Sequence, residues 1–289
     1  MTAEVAAPAA TAYRLLTDAG SWPLLFPWIL HTECLEQTGN EDVYRFWGLT
    51  PDGGTRIFSS RRDLDPVGLS MDFEQRGAVG EVRGLTGRWL FKPLSDDRTL
   101  VESHHTFSMA SDAPEARERA VAMFTKHGNA QMDALRRRAE HLAELEERTV
   151  VRTAEVRIAC RVQDVYQAVR DVAGWPGRMA HIERAEVREA APDVQFVDLE
   201  VRGEDAPRVR KSAWVCLPHD KIVTKAVGLP APYETHTGRL LFSATPDGTL
   251  VTAEQTTIAA PEVSGKDGIG DELIADARRN LLAVKEILE

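Results

Sequence analysis

The chain repeats itself, and an internal repeat constrains architecture more than any local signal does. Tyr13-Arg14-Leu15-Leu16-Thr17-Asp18-Ala19-Gly20-Ser21-Trp22-Pro23 is matched by Tyr166-Gln167-Ala168-Val169-Arg170-Asp171-Val172-Ala173-Gly174-Trp175-Pro176, at an offset of 153 residues. Pro66 then pairs with Pro218, Gly87-Arg88-Trp89-Leu90-Phe91 with Gly238-Arg239-Leu240-Leu241-Phe242, and Leu100-Val101 with Leu250-Val251. At these points the offset falls to 152, 151 and 150, as it does when loops change length and the elements between them do not. A chain of 289 residues accommodates two such copies as two domains. The charged run Glu144-Leu145-Glu146-Glu147-Arg148 gives way to β-branched residues, which puts the expected boundary between 1–148 and 149–289.

Each copy reads as an α+β unit. A short strand (near Val5; Val156–Ile158) precedes an amphipathic helix, and Trp-Pro is expected to end that helix. Strand-like runs follow in the first copy over 43–48, 56–64, 69–75, 88–94 and 100–109, separated by turn signals such as Pro51-Asp52-Gly53-Gly54 and Asp65-Pro66-Val67-Gly68. Both copies close on a long helix with one apolar stripe. In the first copy it is Val121, Phe124, Met132, Leu135, Ala139 and Leu142, with Gly128 at the gap; in the second, Leu273, Ala277, Leu281, Val284 and Leu288. Such a stripe must be buried, and the antiparallel sheet is the one partner large enough. By analogy with the helix-grip pattern, which this order of elements resembles, the expected architecture is two tandem helix-grip domains, each a curved sheet wrapped around its final helix with a cavity between.

Composition narrows the function classes. A net charge of −10, with no basic cluster to offset it, disfavours nucleic acid as a partner. The longest apolar run falls short of the roughly 20 residues of a membrane span, and the N-terminus carries no leader pattern, so a cytoplasmic protein is expected. Cys34, Cys160 and Cys216 are an odd, widely spaced set with no pair at metal-ligand spacing, and they imply no disulfide framework. No phosphate loop, metal triad or Ser-His-Asp order is present, so neither a cofactor nor a metal is expected.

The candidate site lies in the first copy. On the strand Arg56–Leu64 side chains alternate, so Phe58, Ser60, Arg62 and Leu64 share a face that their apolar members direct inward. A buried guanidinium stays charged and costs several kcal/mol unless partnered, so such a residue usually has a task, such as holding a polar ligand or steadying an enolate oxygen. The alternative is an edge arginine paired with a surface carboxylate. Aromatic residues gather in the same half: residues 1–148 hold four Trp, two Tyr and seven Phe, against two of each in 149–289. Trp22, Phe26, Trp28, Phe46, Phe58, Phe73 and Trp89 would make flat walls for a flat ligand. His105 shares the inward side with Val101 and Phe107, whereas His104 points away. In the second copy Ser212 aligns with Ser60, but Trp214 stands at the place of Arg62 and Arg210 at that of Phe58.

At Trp22-Pro23-Leu24-Leu25-Phe26, at Phe58 to Pro66 and at Gly87-Arg88-Trp89, the first half resembles bacterial aromatase/cyclases of aromatic (type II) polyketide synthases, which belong to the START-like helix-grip superfamily. The duplication resembles their di-domain type. The resemblance implies first-ring aldol cyclisation and dehydrative aromatisation of a poly-β-keto chain held on an acyl carrier protein by the minimal polyketide synthase. Carried onto this chain, it makes Arg62 and Ser60 catalytic, and Trp22, Phe26, Trp28, Phe58, Phe73 and Trp89 substrate-binding. Ile29 stands where single-domain relatives have a cavity tyrosine, so a tyrosine shuttle is not implied at that position. The second domain, without the arginine, would be structural or degenerate. Two rivals remain: a non-catalytic carrier of an apolar or aromatic ligand, and a structural tandem domain with a filled interior.

Overall fold

A computed structural model describes residues 1–77, 80–111, 113–203, 208–228 and 232–289. The chain divides into two compact units, Met1–Glu144 and Leu145–Glu289. This division falls a few residues before the expected 148/149 boundary, inside a short helix.

In the first unit β1 (Thr2–Val5) leads into α1 (Ala9–Thr17) and α2 (Trp22–Leu25). Six strands follow: β2 (Ile29–Thr38), β3 (Glu41–Leu49), β4 (Thr55–Asp65), β5 (Ser70–Arg76), β6 (Val82–Ser95) and β7 (Arg98–Met109). The long α3 (Pro114–Glu140) and the short α4 (Leu142–Arg148) come next. The second unit repeats the plan with β8 (Thr149–Ile158), α5 (Val162–Arg170), β9 (Ile182–Ala191), β10 (Val194–Val201), β11 (Arg208–Leu217), β12 (Lys221–Ala226), β13 (Tyr233–Thr245), β14 (Gly248–Ala259) and α6 (Lys266–Leu288). Each unit has one seven-stranded sheet, ordered β1-β7-β6-β5-β4-β3-β2 and β8-β14-β13-β12-β11-β10-β9. The strand pairs are antiparallel in both. This is the expected tandem helix-grip fold. No described helix is long and apolar enough to cross a membrane.

Three local expectations are corrected. Trp22-Pro23 opens α2 instead of closing the preceding helix, because a proline in the first turn forfeits no intrahelical hydrogen bond. Strand β2 carries no clean alternation, since only its first half is covered, and it gave no strand signal. Val121 is exposed; the buried row of α3 runs Ala116, Ala120, Phe124, Gly128, Met132, Leu135 and Ala139. Ala120 and Phe124 of this row pack with Val82 and Leu85 of β6. At Gly128 the Met1 thioether occupies the space a Cβ would need.

Candidate active site

The register of β3 against β4 builds the centre of the site. Asp42 pairs with Arg62, Tyr44 with Ser60 and Phe46 with Phe58, all on the inner face. Arg62 is 2 % exposed and Asp42 4 %. The guanidinium grips the carboxylate bidentately: Nε donates to Oδ1 at 2.7 Å and Nη2 to Oδ2 at 2.6 Å. Its carbon sits 4.7 Å from the Tyr44 ring centre and 6.0 Å from that of Trp22. The carboxylate partner is buried with it and does not lie at the surface. Arg62 does face inward, but a bare buried charge costs several kcal/mol, and Asp42 offsets it. Arg62 Nη1 remains buried with no hydrogen-bond partner.

Other polar atoms on the same inner face are buried and unpaired: Gln75 Nε2, His105 Nδ1 and Arg56 Nη2. Trp28 Nε1, from the segment before β2, is also buried and unpaired. Native interiors rarely leave such groups unsatisfied, so a cluster of them marks a place for ligand or water. Arg56 shares the face of Arg62, six residues or about 20 Å along β4, with its carbon 4.5 Å from the Phe58 ring centre. Burial lowers its pKa. Parity on β4 already placed it inward, although the sequence reading stopped at Phe58.

The aromatic residues divide into two groups. Trp22, Phe26 and Trp89 are buried outright, whereas Trp28, Phe58 and Phe73 keep part of their surface accessible. Phe58 stacks on Phe46 at 5.0 Å between ring centres. Trp22 lies 4.9 Å from Phe46 and 5.1 Å from Phe26, and Phe26 lies 5.3 Å from Trp28. Trp22 Nε1 is committed to the Leu16 carbonyl at 2.9 Å, so only its ring is available to a ligand. Ser60 is buried beside this wall and donates only a long 3.4 Å bond to the Arg61 carbonyl. Tyr44, absent from the sequence-based site, brings a phenol to the inner face where Ile29 brings none. Burial raises the Tyr44 pKa and Arg62 opposes that rise, so the hydroxyl stays protonated at neutral pH.

His105 supplies a pH signature. Its ring lies 5.5 Å from Phe73, and its pKa falls from 6.5 to about 4, first through burial and then through the Met1 ammonium and the neighbouring histidines. The folded form therefore resists a proton that the unfolded chain takes up near pH 6.5. Its contribution is complete above that pH and is lost as pH falls towards 4. The slope is about 1.4 kcal/mol per pH unit, amounting to about 3 kcal/mol over the window. Urea midpoints of the wild type at pH 7 and pH 5 should differ accordingly, and His105→Asn should flatten the difference.

The second unit has Trp214 opposite Gln195 at the place of Arg62 opposite Asp42, so both members of the pair are replaced together. Its interior holds a cavity of about 800 Å³.

Two helix-grip units in tandem, one with a buried ion pair and unpaired donors among aromatic rings, define a di-domain helix-grip protein. A family model described as polyketide cyclase/dehydrase and lipid transport matches residues 5–127. The granaticin polyketide synthase bifunctional cyclase/dehydratase of Streptomyces virginiae is 32% identical over 247 residues, covering 84% of this chain and 80% of its own. Among solved structures, the di-domain aromatase/cyclase BexL of the BE-7585A pathway superposes with a TM-score of 0.89 at 28% identity, over 100% of this chain and 97% of its own. StfQ, of the steffimycin pathway, gives 0.89 at 25% identity over the same shares. The chain belongs to the polyketide cyclase/dehydrase family.

Proposed function

We propose that the first unit closes and dehydrates the first ring of a poly-β-ketone presented on an acyl carrier protein, with Arg62 and Ser60 at the reacting oxygen and Tyr44 beside them. The proteins of such a polyketide pathway are its partners. The observation that carries this reading is the unpaired Nη1 of Arg62, buried among aromatic rings. Because Asp42 balances the charge, this donor works as an oriented N–H in a dry site and not as a free cation. An aldol step forms one C–C bond. The nucleophilic carbon gives up a proton, and the ketone oxygen, held by Nη1, takes one up. Tyr44 is suited to supply that second proton. The resulting hydroxyl then leaves with a neighbouring hydrogen as water. Trp28, Phe58 and Phe73 would touch the chain, and Trp22, Phe26 and Trp89 would hold them in place. Since poly-ketones react readily on their own, fixing one conformation is a large part of the work.

The test is reconstitution with the minimal synthase, comparing wild type with Arg62→Lys. Lysine keeps the charge opposite Asp42 but loses the planar fork and its third nitrogen. The correctly closed ring is expected to fall about 10²–10³-fold in rate, the size of a lost oxyanion donor. A non-catalytic carrier would instead leave the spontaneous product mixture unchanged even as wild type.

A further inference from the structure

The cavity of the second unit lies between the inner face of its sheet and α6, and its volume of about 800 Å³ is that of a small-molecule chamber. Trp175, Trp214, Leu240, Leu273 and Leu281 give it flat and apolar walls. Each cation of its lining has a carboxylate partner: Arg210 is paired with Asp276 and Arg208 with Glu272, each from β11 to α6, Lys211 with Asp198, and Arg239 with Glu254. His236 reaches Gln255 Oε1 through Nε2 at 2.7 Å. The duplication gives these residues meaning. Where the first unit has the Asp42–Arg62 pair, the second has Gln195 and Trp214, and its arginine, Arg210, enters four residues earlier, at the place of Phe58. In this copy the polar pair runs from strand to helix instead of from strand to strand, and the space beside it is open.

We propose that the cavity is a second ligand chamber, for a neutral, flat, partly aromatic molecule bearing phenolic or keto oxygens, the class that first-ring closure yields. The paired arginines leave no charge for an ionic ligand to meet. His236 offers a hydrogen-bond acceptor at Nδ1, because Nε2 carries the proton given to Gln255. Burial, reinforced by Arg210, lowers the pKa of this imidazole, while Gln255 opposes the shift, so it is neutral at pH 7. Identifying the ligand as a ring-closed polyketide rests on the function proposed above; the chamber itself does not.

Equilibrium dialysis of the full chain against a dihydroxyanthraquinone tests it. Ala277→Trp on α6 and Ser212→Phe on β11 fill the chamber from opposite walls. Each should weaken one bound equivalent about tenfold or more, which corresponds to about 1.4 kcal/mol. Far-UV circular dichroism identifies a variant that fails to fold, and the other then carries the test. His236→Leu should weaken the same equivalent about fivefold. Arg62→Lys should leave it intact whatever it does to ring formation, so the two readings fail separately. If the wild type binds no equivalent that the filling substitutions remove, the proposal is overturned.

Discussion

Asp42→Ala is expected to destabilise the first unit by about 3–5 kcal/mol, although aspartate-to-alanine changes on a strand surface cost far less. The reason is the guanidinium left behind. Arg62 is 2 % exposed and cannot rehydrate without opening the sheet, and both of its bonds to Asp42 would be lost. The double variant Asp42→Leu/Arg62→Met removes both charges together and should be neutral, or more stable by about 1–4 kcal/mol. Calorimetry of the single and double variants reads the cycle directly. A cost below about 1 kcal/mol for Asp42→Ala would mean that the pair is hydrated and the site wet. The double variant also separates folding from chemistry: it should be folded yet form no directed ring, because Nη1 has gone. The second unit already holds the natural form of this exchange in Gln195 and Trp214, which is why the double change is tolerable in this fold.

Much of this was legible in the sequence. The repeat fixed the tandem plan, and the period-two alternation of β4 aimed Arg62, Ser60 and Phe58 inward, where they lie. Asp42 and Tyr44 were missed for a definite reason. Their inward direction follows from the same alternation through Phe46, but their meeting with Arg62 depends on hairpin register, which the turn 50–54 sets and a single strand does not reveal. Arg56 needed only one more step along the strand already read. The second cavity was less accessible to sequence reading. Among its lining, Arg210 meets Asp276 on α6, a contact between residues far apart in the chain that no spacing encodes. Aromatic count pointed to the first unit, yet Trp22, Phe26 and Trp89 are buried where Trp28, Phe58 and Phe73 are partly accessible, a division the sequence does not show, because a ring that fills space and a ring that faces a ligand have the same sequence signature.

Phe26→Ala measures that difference. Phe26 is fully buried, edge-on to Trp22 at 5.1 Å and stacked on Trp28 at 5.3 Å. Truncation should cost about 3–5 kcal/mol, the transfer of a ring plus the cavity it leaves. Phe58→Leu should cost less than about 1.5 kcal/mol, since it is half-buried and the change keeps most of the volume. The effect on product should run the other way. Phe58 lies on the inner face between Arg56 and Arg62 and stacks on Phe46, so losing its flat surface should scatter ring regiochemistry while the fold holds. Phe26→Ala protein that remains folded at low temperature should still favour the correct ring. If Phe26→Ala left stability intact and redirected cyclisation instead, this ring would be a wall of the ligand site and not its support.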